Sequence, residues 1–294
     1  MSDALAFVVL AHSDPDKVRR LLGALRGADV YLHCDVRTPR ATVAAMVPPG
    51  QERIVMVDRL APKLGSWSLV EAELRGLRVA LAASKASHIA VMSGACYPLR
   101  SLSDLGDELA RCPGESRFEL HAIPYERWNT RLRHDGGRWR FTYRFATRRD
   151  RVLTVGGIPV PVGRRRVPQG VEIRASSHWK IYSRAHARAL LSVLCEHPEQ
   201  LSYWRRTYVP EETCAASILK SPALVGDLSE TVVDDPAWYI RWPTTGSVEH
   251  PLALTLADFD ALADSGRLFA RKIGGEASGL LDRIDLELRR TPPC

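Results

Sequence analysis

Along the first hundred residues, apolar runs of strand length alternate with stretches whose apolar positions recur every three to four residues. Ala4-Leu-Ala-Phe-Val-Val-Leu-Ala11 is unbroken, as a strand covered on both faces requires. His12-Ser-Asp-Pro-Asp16 ends it, with Asp14 placed as an N-cap and Pro15 at the first helical position. Val18, Leu21, Leu22 and Leu25 then fall at helical spacing, and Gly27 closes that helix. Val30–Cys34 and Ile54–Val57 read as further strands, Ser68–Ala83 as a helix and His88–Met92 as a fourth strand. This alternation predicts an α/β fold whose central, mostly parallel sheet is flanked by helices and built by right-handed crossovers. Such sheets bind ligands at the carboxyl ends of their strands, which singles out His12–Asp14, Asp35 and Ser93–Cys96.

From Arg117 the pattern loosens. Arg127–Arg166 is rich in Arg, Gly and aromatics, with a β-like stretch at Trp139–Phe145 and a Gly156-Gly157 turn. Helix returns at Ser183–His197 and Pro210–Leu219, a strand at Trp238–Trp242, and an acidic amphipathic helix at Thr255–Ala263. Residues 1–294 thus read as a single domain with a basic excursion at about 126–170. Between Glu126 and Arg188 sixteen Arg and Lys oppose four Asp and Glu, a balance of +12 within a chain of +7, leaving about −5 elsewhere. A segment so charged is drawn to phosphates, nucleic acid or acidic lipid, or is simply a solvated loop. No zinc finger, RNP pattern or helix-turn-helix accompanies it, so nucleic acid is not the expected partner.

At 45% hydrophobic and 26% charged residues the composition is that of a globular protein and excludes disordered, collagen-like and disulfide-dominated classes. The apolar run at the N-terminus is far short of the about 20 residues of a membrane span, and Met1–Ser2–Asp3 supplies no basic signal region. The expectation is a soluble, cytoplasmic protein. Cys34, Cys96, Cys112, Cys195, Cys214 and Cys294 show no Cys-x-x-Cys spacing and read as small buried hydrophobes, with no zinc site and no disulfide framework.

Dinucleotide, P-loop, nucleophile-elbow and zincin motifs are all missing. Asp14-Pro-Asp16 and Asp258-Phe-Asp260 lie in or at the start of helices, where capping explains them better than a metal does. Glu211-Glu212 after Pro210 fits a helix start, because carboxylates favour its positive end. It fits a general base equally well.

Several segments in order carry a resemblance. Leu10-Ala-His-Ser13, Tyr31-Leu-His-Cys-Asp35, Gly65-Ser-Trp-Ser68, Met92-Ser-Gly-Ala-Cys-Tyr-Pro-Leu-Arg-Ser101, Tyr208-Val-Pro-Glu-Glu212 and Leu268-Phe-Ala-Arg-Lys272 resemble the core 2/I-branching β-1,6-N-acetylglucosaminyltransferases and the related peptide O-xylosyltransferases. The resemblance implies an inverting GT-A glycosyltransferase that takes a UDP-sugar donor, N-acetylglucosamine being the expected sugar, and needs no metal cofactor. It makes Glu212 the catalytic base and Lys272 a ligand of the donor diphosphate. It puts Leu10, Ala11, Asp35 and Trp67 on the donor side, and Glu119, Arg127 and Trp242 on the acceptor side. For Asp35 a turn cap through Thr38, and for Trp242 a plain buried tryptophan, stay open from the residues alone.

There are departures. Cys96 stands where the family's Ser-Gly-x-Asp motif has its aspartate. A second basic diphosphate ligand lies upstream of the lysine in core 2 enzymes, but the stretch here reads Val248-Glu-His-Pro251, leaving Arg241 or His250 for that role. The membrane anchor and cysteine pattern of the Golgi members are missing, which points to a bacterial relative. The acceptor is then a saccharide, a lipid-linked oligosaccharide or a glycosylated small molecule, with the basic excursion shaping its site or lying near anionic lipid. UDP-xylose or UDP-glucuronate as donor, or a non-catalytic nucleotide- or nucleic-acid-binding role, are the competing readings.

Overall fold

A computed structural model describes residues 4–130, 133–243 and 250–290. Cys294, Met1–Asp3 and the Val248-Glu249 part of the stretch singled out above lie outside the described residues. The central sheet has seven strands in the order Val232–Asp234, β6 (Ser116–Phe118), Lys180–Ser183, β4 (His88–Ser93), β1 (Leu5–Ala11), β2 (Val30–Cys34) and β3 (Ile54–Met56). Strand β1 pairs in parallel with both β2 and β4, and all seven of its residues are buried. Its alternation feeds two layers. Leu5, Phe7, Val9 and Ala11 face the layer of helices α1 (Pro15–Ala24) and α2 (Arg40–Met46) and the C-terminal segment, while Ala6, Val8 and Leu10 face helix α3 (Trp67–Ala83) and the helix Arg184–Glu196. At Gly76 of α3 a Cβ would stand 2.3 Å from a Val8 methyl, so the helix lies on β1 more closely than any side chain would allow.

The sheet is mostly parallel. Lys180–Ser183 is antiparallel to both β4 and β6, an insertion that the βα alternation of the first hundred residues does not announce. A smaller sheet joins β5 (Cys96–Pro98), Phe269–Arg271 and Trp238–Ile240, and is tied to the core by the Phe269 ring, which stacks on Trp238 at 4.8 Å within the sheet and meets Phe7 of β1 edge-on at 6.2 Å. The expected strand at Trp238–Trp242 therefore ends at Ile240. The expected helix at Pro210–Leu219 is a tight turn at Pro210–Glu212 and a helix at Cys214–Leu219, broken at Thr213.

Within the excursion, Trp139–Phe145 is not β throughout. Residues Trp139–Thr142 form a helical turn because the Asp135 carboxylate accepts the backbone N–H groups of Gly137 and Trp139 at 3.1 and 2.9 Å, and only Tyr143–Phe145 is strand. Short antiparallel pairs follow: Tyr143–Phe145 with Pro161–Arg164, Thr147–Arg148 with Arg151–Val152, and Thr154–Val155 with Ile158–Pro159. Trp139, Phe145 and Val152 make a small core of their own against Tyr143 and Tyr208.

At the far side of α1, Asp285 gathers Arg20 Nη2 at 2.9 Å, the Tyr97 hydroxyl at 2.9 Å and the Arg289 guanidinium, while Arg289 Nη2 donates to the Ala24 carbonyl at 2.7 Å. Among the described residues no helix is long and apolar enough to cross a membrane.

Candidate active site

The carboxyl ends of β1 and β2 meet at Asp35, whose N–H donates to the Ala11 carbonyl at 3.0 Å. Leu10 and Ala11 are buried just beneath. Burial pushes the Asp35 carboxyl up, but hydrogen bonds from the Arg37 N–H at 2.8 Å and from its guanidinium more than offset this, so it stays below the usual range. Arg59 Nη2 donates to the Asp35 carbonyl at 2.6 Å, and the Thr38 hydroxyl to the His12 carbonyl at 2.8 Å. This is a rigid, cation-lined corner at the sheet's ligand-binding edge.

Trp67 is fully enclosed in the core. The segment around it is a joint. The Gly65 N–H donates to Glu211 Oε1 at 2.7 Å and its carbonyl accepts from Val209 N at 3.1 Å, while Ser66 Oγ accepts from Val152 N at 2.9 Å. Gly65 has φ 73°, and a Cβ there would approach the Tyr208 ring to 2.9 Å, so conformation and space both require glycine. The adjacent pair Gly65-Ser66 thereby holds both the acidic turn and the basic excursion.

Val209 enters that turn at φ 55°, a left-handed conformation that a β-branched residue adopts only at a cost of about 1–3 kcal/mol. The consequence is that the adjacent glutamates separate. Glu211 points inward, almost fully buried, and its carboxyl is raised to about 8 by burial and by the neighbouring Glu212 charge. Glu212 points outward with a side chain 35% exposed and Oε2 lying 3.9 Å from Arg140 Nη1. Burial raises the Glu212 carboxyl too, and Arg140 and Lys180 pull it back only in part. Neither glutamate caps a helix start: Glu211 is spent on the Gly65 N–H, and Glu212 is the one left facing Arg140.

Arg140 escaped the sequence reading. Its guanidinium stacks 4.0 Å from the Trp128 ring, its side chain is 12% exposed, and its Nε and Nη1 have no hydrogen-bond partner. His121 Nε2 donates to Glu119 Oε1 at 2.9 Å, His121 stacks on Tyr125 at 4.1 Å, and the charges of Arg127, Glu119 and Glu212 all act on the Tyr125 phenol. Glu119, Arg127 and Glu212 are therefore brought to one side, with Tyr125, Trp128 and Arg140 added.

Lys272 is exposed on the opposite side. Its carbonyl accepts from Leu254 N at 2.8 Å, and the next residue, Ile273, bonds to the Ala95 carbonyl at 2.9 Å, so it lies beside the loop following β4. Its neighbour Arg271 donates to Ser93 Oγ at the end of β4 and stacks 4.5 Å from Trp179. Arg241 is committed elsewhere, to the Asp258 carboxylate and, at 2.9 Å, to the Ala253 carbonyl. His250 is exposed and Trp242 half-buried nearby in sequence. The cation adjoining Lys272 is Arg271, a residue whose place in the closing Leu268–Lys272 segment was the available signal.

Between the two sides runs His178-Trp179-Lys180. Lys180 is fully buried; its Nζ donates to the His178 carbonyl at 2.9 Å and the Glu211 carbonyl at 3.2 Å, and lies 3.7 Å from Glu73 Oε1. Tyr182 donates to Glu73 at 2.5 Å. Burial drives the Glu73 carboxyl up, but Lys180 and His178 outweigh it and keep it below the ordinary glutamate range.

Glu211 gives a prediction for stability. Below about 8 the folded protein holds a proton on Glu211 that the unfolded chain releases above its ordinary value near 4.5, so stability falls as pH rises from about 5 to 8. Glu211→Gln is expected to remove that decline while keeping the Gly65 bond, as thermal melts across this window would show. An unchanged pH slope would mean Glu211 is ionised in the fold.

A separate cleft of about 430 Å³, walled by Leu99, Arg100, Asp104, Leu262 and Arg267, holds none of the predicted residues. Among the described residues no group of three or more His, Cys, Asp or Glu side chains could hold a metal ion.

Comparison with known proteins adds to this geometry. Residues 5–262 match the family model of the Core-2/I-Branching enzymes. No curated protein matches. Among solved structures, a Bacillus anthracis protein described as a glucose-1-phosphate thymidylyltransferase is similar with a TM-score of 0.32 and 12% identity, over 76% of this chain and 96% of its own. HddC from Yersinia pseudotuberculosis has a TM-score of 0.29 and 10% identity, over 62% and 78%. At those scores neither structure bears on the chemistry.

Proposed function

The chain belongs to the Core-2/I-Branching enzyme family and is a glycosyltransferase, and from that premise we propose that it moves a sugar from UDP to an acceptor hydroxyl with inversion, on a GT-A-type scaffold. The observation that carries this reading is Glu212: a partly exposed carboxylate raised in pKa, faced by Arg140 and grouped with Glu119 and Arg127. Glu212 takes the proton from the acceptor hydroxyl as that oxygen bonds to the anomeric carbon, and the bond from that carbon to the diphosphate oxygen breaks on the opposite face. Lys272 and Arg271 receive the charge that develops on the departing diphosphate. Asp35, Leu10 and Ala11 hold the uridine end, and Trp67, enclosed in the core, serves the donor side by anchoring the Gly65-Ser66 segment rather than by touching the ligand.

We take the reaction to be metal-independent, since the strand-end carboxylate, Asp35, is engaged by Arg37 and the first residue of β5, just beyond the loop that follows β4, is Cys96 rather than a carboxylate. N-acetylglucosamine is the favoured sugar, with UDP-xylose and UDP-glucuronate as the alternatives. A thermal-shift panel in EDTA with UDP, these three UDP-sugars, GDP and TDP tests the reading. A uridine ligand at 100 times its Kd adds about 2.7 kcal/mol, a rise of several degrees at this size. Lys272→Ala is expected to lose most of that rise and to slow turnover by roughly 10²–10³-fold. A shift that needs Mn²⁺ would overturn the metal-free mechanism, and no uridine response at all would overturn the transferase reading.

A further inference from the structure

The excursion has an outer face that the chemistry above does not use. Leu153, Val155, Ile158 and Val162 are 44, 74, 60 and 56% exposed, a concentration of large apolar side chains unmatched elsewhere among the described residues. Val155 and Ile158 are directly paired across the Gly156-Gly157 turn, whose φ values of 56° and 81° form the tight two-residue hairpin that positions both side chains at a protruding tip. Along the same excursion Arg144, Arg148, Arg149, Arg164 and Arg166 are exposed, Arg148 and Arg149 in the neighbouring hairpin and the others toward its base, and Asp150 is the one acid between Tyr143 and Arg166. The inner face of the same small sheet is satisfied, with Phe145 and Val152 packed on Trp139 and Tyr208.

We propose that this hairpin sheet docks the protein on an anionic lipid bilayer, the apolar tip entering the headgroup–acyl boundary and the arginines engaging acidic headgroups. Apolar side chains at a turn, backed by cations along the same strands, are the combination that interfacial binding requires, since exposed aliphatics gain only where hydrocarbon receives them. Nucleic acid would match the arginines but not the tip. It calls for aromatic platforms, and the rings in this sheet, Tyr143 and Phe145, are half-buried and buried. The proposal deepens the transferase reading by stating where the acceptor resides. Val152 bonds to Ser66, whose neighbour Gly65 holds the turn that carries Glu212, and Tyr208 packs on the sheet just ahead of that turn, so the acceptor side of the site is held next to the membrane surface.

The test is co-sedimentation of the full chain with phosphatidylcholine vesicles and with vesicles of phosphatidylcholine and phosphatidylglycerol, at low and high salt. The expected result is binding to the mixed vesicles only, weakened by salt. Val155→Asp with Ile158→Asp should lower it by about tenfold or more, whereas Leu286→Asp, at an apolar residue exposed elsewhere, should not. Arg148→Gln with Arg149→Gln provides a variant that leaves the tip intact and should flatten the salt dependence. Failure of the wild type to sediment with the mixed vesicles, equal binding to neutral ones, or unchanged binding of the tip variant overturns the proposal. So does oligonucleotide binding that survives the tip substitutions. UDP thermal shifts on the same samples keep the two readings apart. UDP binding without lipid binding overturns the docking alone, and lipid binding without a UDP response overturns the transferase reading alone.

Discussion

Glu212→Gln is expected to cut turnover by about 10²–10⁴-fold, the usual contribution of a positioned general base, while leaving the UDP-induced thermal shift nearly intact. Glutamine keeps the shape beside Arg140 and removes only the ability to accept a proton. The wild-type kcat/KM should fall as pH drops through the Glu212 pKa, and that limb should lie above the ordinary glutamate value because burial outweighs the pull of Arg140 and Lys180. Arg140→Met, which removes one of the two stabilising charges, should move the limb to higher pH. A Gln variant retaining more than a few per cent of the wild-type rate would take the base role from Glu212. A limb at the ordinary value would mean that the carboxylate is more solvated than its surroundings imply.

Lys180→Met is expected to be the most destabilising of these substitutions. Lys180 and Glu73 are both enclosed, at 0 and 2% exposure, and breaking a buried pair by removing one member typically costs 3–5 kcal/mol because the other charge is left uncompensated. At about 2–4 °C per kcal/mol this amounts to a fall in Tm of roughly 10 °C. The paired change Glu73→Gln with Lys180→Met should recover most of the loss, since no buried charge then remains. Turnover should separate the two roles of the lysine. The double variant still lacks the donor to the Glu211 carbonyl, so it should be stable yet slow. A Lys180→Met protein with an unchanged midpoint would show that Glu73 takes up a proton at little cost.

These cases mark where the sequence is legible. Strands β1, β2 and β4 and helix α3 follow directly from unbroken or helically spaced apolar runs, because each is covered by the core. Trp139, Phe141, Tyr143 and Phe145 alternate as a strand would, yet the first half coils, since Asp135 offers its backbone a local cap that periodicity does not register. Glu211 and Glu212 are indistinguishable in one dimension. Their opposite orientations depend on the left-handed Val209 and on a bond to Gly65, distant in sequence. Arg140 reads as one more arginine of a solvated segment, and Lys180, at the start of a strand, as a surface lysine. One clue to the latter exists. Glu73 falls on the apolar face of α3 with Val70, Leu74 and Leu77, and a carboxylate on such a face needs a buried cation somewhere.

The cluster at Asp285 bears on how the protein is made. Arg20 and Tyr97 both wait for a carboxylate that the ribosome supplies much later, and the Ala24 carbonyl waits likewise for Arg289. Until that stretch emerges, the helix after the first strand lacks its covering layer and the Tyr97 hydroxyl its acceptor. Nascent chains of intermediate length should therefore expose apolar surface and engage chaperones, and release from that state should coincide with emergence of residues 278–290 rather than with completion of the central sheet.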